Sequence, residues 1–153
     1  MKKLFITALV AFFTINAFSQ ANSEIELMQK IFGLEKLQIV SAYVNPGEEH
    51  TVAFIDLYEE YEEKRMELGK VRIKLLNQYA NEWDGMTNEQ AEAWMKKVLD
   101  ASAKRDVLIR TYYAKIKKAT NAIVATQFYQ VETFILTSIR LAVYENIPFV
   151  GEK

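Results

Sequence analysis

The chain has 153 residues, with 19 Lys and Arg against 20 Asp and Glu, one His and no Cys. This length fits one domain, or one small domain behind a processed leader. A hydrophobic fraction of 50% argues against bulk disorder, and five Gly and two Pro are too few for a β-sandwich or barrel with many tight turns. The lack of Cys excludes disulfides, thiolate metal sites and a Cys nucleophile, and a single His disfavours His-based triads and multi-His metal centres.

Residues 1–19 have the composition of a secretory signal peptide. Two lysines begin the segment, and an apolar stretch of about ten residues follows. Ala17 and Ser19 then place small side chains at a cleavage site before Gln20. The alternative is a membrane anchor, but a spanning helix needs roughly 20 apolar residues.

The leader predicts an exported protein, periplasmic or secreted, with one domain over residues 20–153 and no membrane span after cleavage. Loss of the two leader lysines leaves a mature chain with an excess of acidic side chains. Because nucleic-acid binding depends on clustered positive charge, no nucleic-acid partner is expected.

Apolar residues spaced three or four apart predict helices through the whole mature chain. The predicted helices cover about 23–43, 46–80, 88–118 and 122–146. Short connections make neighbouring helices antiparallel, so we predict an all-α fold, either an elongated four-helix antiparallel bundle or stacked helical hairpins. The last helix is apolar on more than one face and should be the most buried.

Two helix starts have recognisable local signals. Asn45 can accept a hydrogen bond from free amides, and Pro46 suits the first helical position because no N–H is needed there. Thr87 and Gln90 have the spacing of a capping box, in which each side chain bonds the backbone amide of the other. That structural role accounts for both residues, and a functional family surface is the alternative.

Glu132 is an acidic residue on the most apolar of the predicted helices. A buried carboxylate is costly unless it is paired, so a structural ion pair is one interpretation. Three arginines on other helices could supply the partner: Arg65, Arg72 and Arg105. A general acid or base beside Tyr58 or Tyr61 is the other interpretation, but no nucleophile or second acid at suitable spacing supports it. We therefore predict no enzymatic activity and no catalytic residues.

His50 follows Glu48 and Glu49, and four further glutamates lie between residues 59 and 63. Neither group has the ligand number or loop spacing of a zinc or calcium site. A solvated helix start and a solvated helix face explain both groups, so no metal and no cofactor are predicted.

The chain contains 8 Tyr, 9 Phe and 2 Trp. Ordinary core packing at helical spacing is one interpretation of these aromatic residues. The other is a concave surface for apolar peptides, because Tyr and Trp combine an apolar body with a polar tip. The candidate residues for that surface are Tyr58, Tyr61, Trp94, Tyr112, Tyr113, Phe128 and Tyr129. Long amphipathic helices leave surplus apolar surface in so small a monomer, which favours protein partners, unfolded clients or a homodimer.

Three passages resemble known exported proteins. Residues 43–62 resemble the Leu-Thr-x-x-Glu … Phe-Trp-x-x-Tyr-x-x-Tyr segment of small exported helical proteins of uncertain function. Residues 125–132, with Ile-Pro-Phe-Val at 147–150, resemble the Arg-Phe-x-Gln-hydrophobic-Glu … Ile-Pro-Leu ending of the same group. Residues 86–90 are similar to the Leu-Thr-x-x-Gln motif of the Spy/CpxP family of periplasmic stress proteins.

The Spy/CpxP resemblance implies helical hairpins that dimerise antiparallel into a curved cradle. It also implies that the protein binds unfolded clients or damps an envelope stress sensor. Two further possibilities stay open at this point. One is a metal-responsive periplasmic sensor, and the other is a structural envelope subunit without a client.

Overall fold

The computed structural model describes residues 36–145 and 147–151, and these residues are helical apart from short turns and the C-terminal tail. The chain divides into two compact units, Met1–Lys36 and Leu37–Lys153. The leader and the predicted helical residues 23–35 lie outside the described part of the chain, so both stay predictions.

Four helices make up the described residues, and no strand occurs among them. Helix α1 is described over 36–43. It is followed by α2 (Thr51–Glu82), α3 (Asn88–Ala119) and α4 (Ala122–Tyr144). The predicted all-α helical bundle is therefore confirmed.

Helix α2 begins five residues later than the sequence predicted, so the placement of Pro46 at the first helical position was wrong. The reason is Gly47, whose φ of 72° is incompatible with a right-handed helix. A short 3-10 turn, Glu48–His50, then leads into α2. Asn45 holds this loop: its Oδ1 accepts a hydrogen bond from Gly47 N at 3.2 Å, and its own N–H donates to Gln127 Oε1 of α4 at 3.1 Å.

Side-chain caps define the starts of the other two long helices. The capping box predicted at Thr87 and Gln90 is present, with N–H···O distances of 3.2 and 2.8 Å. Asn121 Oδ1 accepts hydrogen bonds from the amides of Ile123 and Val124 at the start of α4, both at 3.0 Å. These acceptors satisfy N–H groups that have no partner within the helix.

Helices α2 and α3 form an antiparallel pair joined by aromatic contacts near both ends. Tyr61 of α2 meets Tyr112 of α3 with ring centroids 5.4 Å apart. At the other end Trp94 lies 4.7 Å from the Tyr79 ring, and its Nε1–H donates to the carbonyl of Leu75 at 2.9 Å. Helix α4 packs on α3, and its residue Tyr129 meets Tyr113 edge to face at 6.1 Å.

The tail after α4 returns to α2. The hydroxyl of Tyr79 donates a hydrogen bond to the carbonyl oxygen of Pro148 at 2.7 Å. Within the described residues, no helix is both long enough and apolar enough to cross a membrane.

Candidate functional site

Four of the seven aromatic residues proposed for partner binding are buried in the core. Tyr58, Tyr61, Tyr112 and Phe128 are almost completely inaccessible to solvent. Their helical spacing directs them to the shared interior of α2, α3 and α4, so their assignment to an exposed partner-binding surface was wrong. They belong to the core interpretation of the aromatic pattern.

These four rings interlock three helices. Tyr61 packs edge to face against Phe128 at 5.1 Å and against Tyr112 at 5.4 Å. Tyr58 meets Phe128 edge to face at 6.4 Å. Such perpendicular ring pairs are favourable beyond the area they bury, and they fix the relative positions of the helices.

Glu132 is fully buried beside this aromatic cluster. Its Oε2 accepts a hydrogen bond from the hydroxyl of Tyr61 at 2.7 Å. Burial and the nearby Glu132 charge both raise the pKa of Tyr61 far above its usual value, so Tyr61 is a permanent donor at physiological pH. The carboxylate is therefore tied into the core of the protein.

Two of the three arginines predicted to pair with Glu132, Arg65 and Arg105, make hydrogen bonds to other carboxylates. Arg65 donates from Nε and Nη2 to the two carboxylate oxygens of Glu62, at 2.8 and 2.9 Å. Burial opposes the charged form of Arg65, but the bonds to Glu62 outweigh it and raise the pKa of the guanidinium. Arg105 donates from Nη2 to Asp106 Oδ1 at 3.1 Å.

A second polar cluster lies at the edge of the α2–α3 interface around Glu60. Lys64 Nζ and Lys115 Nζ donate to Glu60 Oε1 at 2.6 and 3.0 Å, and Lys64 also reaches the Tyr112 hydroxyl at 2.9 Å. These hydrogen bonds, with that from Lys64 the strongest influence, lower the pKa of Glu60 to about 2. The cluster closes over the ring of Tyr112, which Lys115 approaches to 4.6 Å.

A shallow, mainly apolar groove of about 370 Å³ runs between α2 and α3. The residues that line it are Lys64, Glu67, Leu68, Lys104, Val107, Leu108 and Thr111. Both of its lysines already have acidic partners, because Lys64 binds Glu60 and Lys104 binds Asp100 at 2.8 Å. The groove therefore offers an apolar floor rather than available charge.

The outer face of α4 carries exposed apolar residues among short neutral ones, and Arg140, which is half-buried, lies one turn from Thr137 and Tyr144. Ile123, Phe134 and Leu141 have relative exposures of 71%, 57% and 59%. They lie about three and five turns apart along one line of the helix, since an α-helix has 3.6 residues per turn. The remaining exposed residues between Ala122 and Tyr144 are also uncharged: Ala122, Thr126, Tyr129, Gln130, Thr137 and Tyr144. We call this surface, Ala122–Tyr144 on the solvent side, the α4 outer face.

The other three predicted aromatic residues have different environments. Trp94 is half-buried and joins α3 to α2 through its bond to Leu75. Tyr113 is half-buried, whereas its neighbour Tyr129 is 41% exposed on α4. Of the seven candidates, Tyr129 is thus the one that reaches the α4 outer face.

Sequence reasoning missed Ile123, Phe134 and Leu141. The available signal was the apolar character of the last predicted helix on more than one side. We took it as a sign of burial, but in the bundle α2 and α3 cover one side of α4, and the surplus apolar residues meet solvent.

No group of three or more His, Asp or Glu side chains that could hold a metal ion occurs in residues 36–145 and 147–151. His50 and its acidic neighbours lie in the 3-10 turn that precedes α2.

No family model, curated protein or solved structure matches this chain. The likeness to exported helical proteins and to the Spy/CpxP family therefore rests on the short sequence motifs alone.

Proposed function

We propose that this chain is an exported, non-enzymatic helical protein that binds protein partners or unfolded clients through the α4 outer face. The observation that supports the proposal is the exposure of Ile123, Phe134 and Leu141 along one line of α4, a helix on which none of the exposed residues between Ala122 and Tyr144 is charged and Arg140 is half-buried. An envelope stress role of the Spy/CpxP kind would make use of such a surface.

The chemistry of the face suits apolar polypeptide segments. Exposed apolar residues that lie together are typical of interaction sites, whereas single ones are ordinary surface features. Thr126, Gln130 and Thr137 add short neutral groups that can hydrogen-bond a bound backbone. Since none of the exposed residues of the face is charged and Arg140 is half-buried, little charge has to be desolvated, and the face can bind clients of varied sequence.

The solvent sides of α2 and α3 carry more charge than this face. Val71, Leu99 and Val107 are exposed there, but they lie among ion pairs such as Lys70 with Glu67 at 2.9 Å and Lys104 with Asp100 at 2.8 Å. A client would have to displace or desolvate these charges, which disfavours binding there. The difference in charge favours α4 as the proposed client-binding helix.

The place of Glu132 supports a role without catalysis. A general acid or base has to reach a substrate proton. Glu132 is instead fully buried and accepts the hydroxyl of Tyr61, and both groups serve the packing of α2 against α4.

The test is suppression of aggregation of a chemically denatured client by the purified chain from Gln20 onward. Replacement of Phe134 and Leu141 by Lys should abolish suppression, because a charged face no longer accepts an apolar segment. Leu99→Lys is the matched control: Leu99 is 58% exposed on α3 and lies outside the proposed face. Equal suppression by wild type and the α4 variant, or no suppression by either, would overturn the proposal.

A homodimer is proposed through the same face, since a surface whose exposed residues are uncharged is compatible with a second copy of itself. Light scattering over a wide concentration range should show a dimer that the substitution Phe134→Lys dissociates. A monomer at every concentration would reject self-association and leave client binding to be judged by the aggregation assay.

Export is proposed from the leader. Expression in a bacterial host should yield a chain in the envelope fraction whose N-terminus is Gln20. Intact mass that still includes Met1–Ser19, in a chain confined to the cytoplasm, would contradict it.

A further inference from the structure

Arg110, Tyr113 and Lys117 share one face of α3, because they lie three and four residues apart in a continuous helix. The ring of Tyr113 meets Tyr129 of α4 edge to face, with centroids 6.1 Å apart. This contact places the three residues on the side of α3 next to α4, whereas Thr111 lines the groove on the side next to α2. We call Arg110, Tyr113, Lys117 and Tyr129 the Tyr113 patch.

The two cations of the Tyr113 patch are exposed and have no acidic partner. Neither Arg110 nor Lys117 makes a hydrogen bond or an ion pair with a residue in the described ranges 36–145 and 147–151. Asp106, the acidic residue closest to Arg110 along α3, is bound by Arg105 at 3.1 Å. The lysines of the α2–α3 groove, by contrast, already bind carboxylates. The Tyr113 patch therefore presents uncompensated positive charge to a partner.

The spacing of the charges fits a short polypeptide segment. Arg110 and Lys117 are seven residues apart, which puts their Cα atoms about 10.5 Å apart along α3. Tyr113 is half-buried between them, and Tyr129 beside it is 41% exposed. In an extended chain, positions i, i+2 and i+4 face the same way, and the outer two are about 13 Å apart. Acidic residues at i and i+4 would meet the two long cationic side chains, and an apolar residue at i+2 would meet the tyrosines.

We propose that the Tyr113 patch selects client segments in which an apolar residue stands between two acidic residues. The inference rests on the proposed function, because Tyr129 belongs to the α4 outer face. Arg110 and Lys117 pair with the two carboxylates, while the exposed ring of Tyr129 packs on the apolar residue. Since exposed ion pairs are individually weak, they set a preference among clients, and the apolar contacts supply most of the affinity.

The probes are two synthetic peptides, one with the core Glu-Ser-Phe-Ser-Glu and one with the neutral core Gln-Ser-Phe-Ser-Gln. Each is titrated into the purified protein at constant ionic strength, and NMR signals of the Tyr113 and Tyr129 rings report binding. Both peptides should shift these signals. The acidic peptide should bind about fivefold more tightly, as expected for two exposed ion pairs, and added salt should remove the difference.

Variants separate the charges of the patch from its rings. The double substitution Arg110→Gln with Lys117→Gln should bind the two peptides equally. Lys96→Gln with Lys97→Gln is the matched control, because it removes the same charge from exposed positions near the other end of α3 and should keep the preference. Tyr129→Ala should weaken both peptides alike and keep the preference as well. Circular dichroism of each variant establishes that the fold is retained.

Three results would overturn the inference: equal binding of the two peptides by wild type, the same loss of preference in the control variant, or no shift with either peptide. The proposed function is judged separately by the aggregation assay. A protein that suppresses aggregation but does not distinguish the peptides loses the selectivity for acidic segments and keeps client binding.

Discussion

The two halves of the α2–α3–α4 unit are packed in different ways. The half around Tyr61 is the dense half, and the half around Arg72 is the thinner half. Around Tyr61, rings from all three helices interlock and enclose Glu132. Around Arg72, the described part of α2 has no buried residue between Tyr61 and Leu75, and α3 has none before Arg105. The apolar groove, the half-buried Arg72, the buried Arg105 and the exposed Phe134 and Leu141 all belong to the second half.

Because of this difference, the stability of the fold and the binding of a partner depend on different parts of the unit. A dense aromatic core fixes the register of the helices but leaves nothing for a partner to bind. A thinner half carries exposed apolar surface, which gains from a ligand. We infer that the first half supplies most of the folding free energy, whereas Phe134 and Leu141, two of the three large exposed aliphatic or Phe residues of the α4 outer face, lie in the second half.

The largest expected effect compares one phenylalanine from each half. Phe128→Ala should lower the free energy of unfolding by about 3–5 kcal/mol, because it leaves a cavity among buried rings. Phe134→Ala removes an exposed ring and should change it by less than about 0.5 kcal/mol. Urea unfolding measures both, and equal losses would show that the two halves are packed alike.

Tyr61→Phe tests the polar part of the dense half. The loss of the hydroxyl that donates to Glu132 should cost about 1–3 kcal/mol, since a buried carboxylate loses a hydrogen bond. Tyr144→Phe, at an exposed position, is the control and should be neutral. Unchanged unfolding of Tyr61→Phe would mean that the bond to Glu132 contributes nothing to stability.

Thr87→Ala tests the start of α3, at the end of the thinner half. The loss of the hydroxyl that accepts from Gln90 N should destabilise the protein by about 1 kcal/mol. Thr126→Ala removes a hydroxyl that bonds only a carbonyl within α4 and should have less effect. If both variants unfold at the same urea concentration, the capping box does not stabilise α3.

The smallest effect concerns Glu60, at the exposed edge of the dense half. Its lowered pKa, about 2 against an ordinary 4.5, means that the carboxylate stabilises the fold above pH 4.5. This contribution is lost as the pH falls from 4.5 toward 2. Glu60→Gln should therefore be less stable than wild type at pH 7, and the difference should shrink over that interval.

Glu63→Gln is the matched control for Glu60, because Glu63 is exposed on the same helix and makes no hydrogen bond within the described residues. The stability difference between Glu63→Gln and wild type, measured over the same interval, is the reference for that of Glu60→Gln. A difference for Glu60→Gln that stays constant from pH 7 to pH 2 would contradict the lowered pKa.

Local signals in the sequence predicted local structure well. The apolar period of α3 and the Thr87–Gln90 cap depend on residues within a few positions of one another, so the sequence predicts them directly. The start of α2 was harder, because Gly47 permits two backbone regions and its positive φ is selected by the loop that Asn45 ties to Gln127 of α4.

The residues of the candidate sites could not be predicted in the same way, because their environment depends on which helix faces pack against one another. Periodicity groups Tyr58, Tyr61, Phe128 and Phe134 by helix face, but it does not say which faces are covered. Glu132 could equally have paired with an arginine, and its partner Tyr61 is 71 residues away in the sequence. The packing of one helix against another determines which of these partners Glu132 has.

The sequence by itself determined that residues 36–145 are mainly helical, where α3 and α4 begin and end, and that the last helix carries more apolar residues than one helix face can hold. The physical reason is that helix formation follows from spacing and capping within a few residues. Only the tertiary structure decided that the surplus is exposed on α4, and that Glu132 accepts the hydroxyl of Tyr61. Those outcomes depend on the relative positions of residues far apart in the chain, which the packing of helix against helix sets.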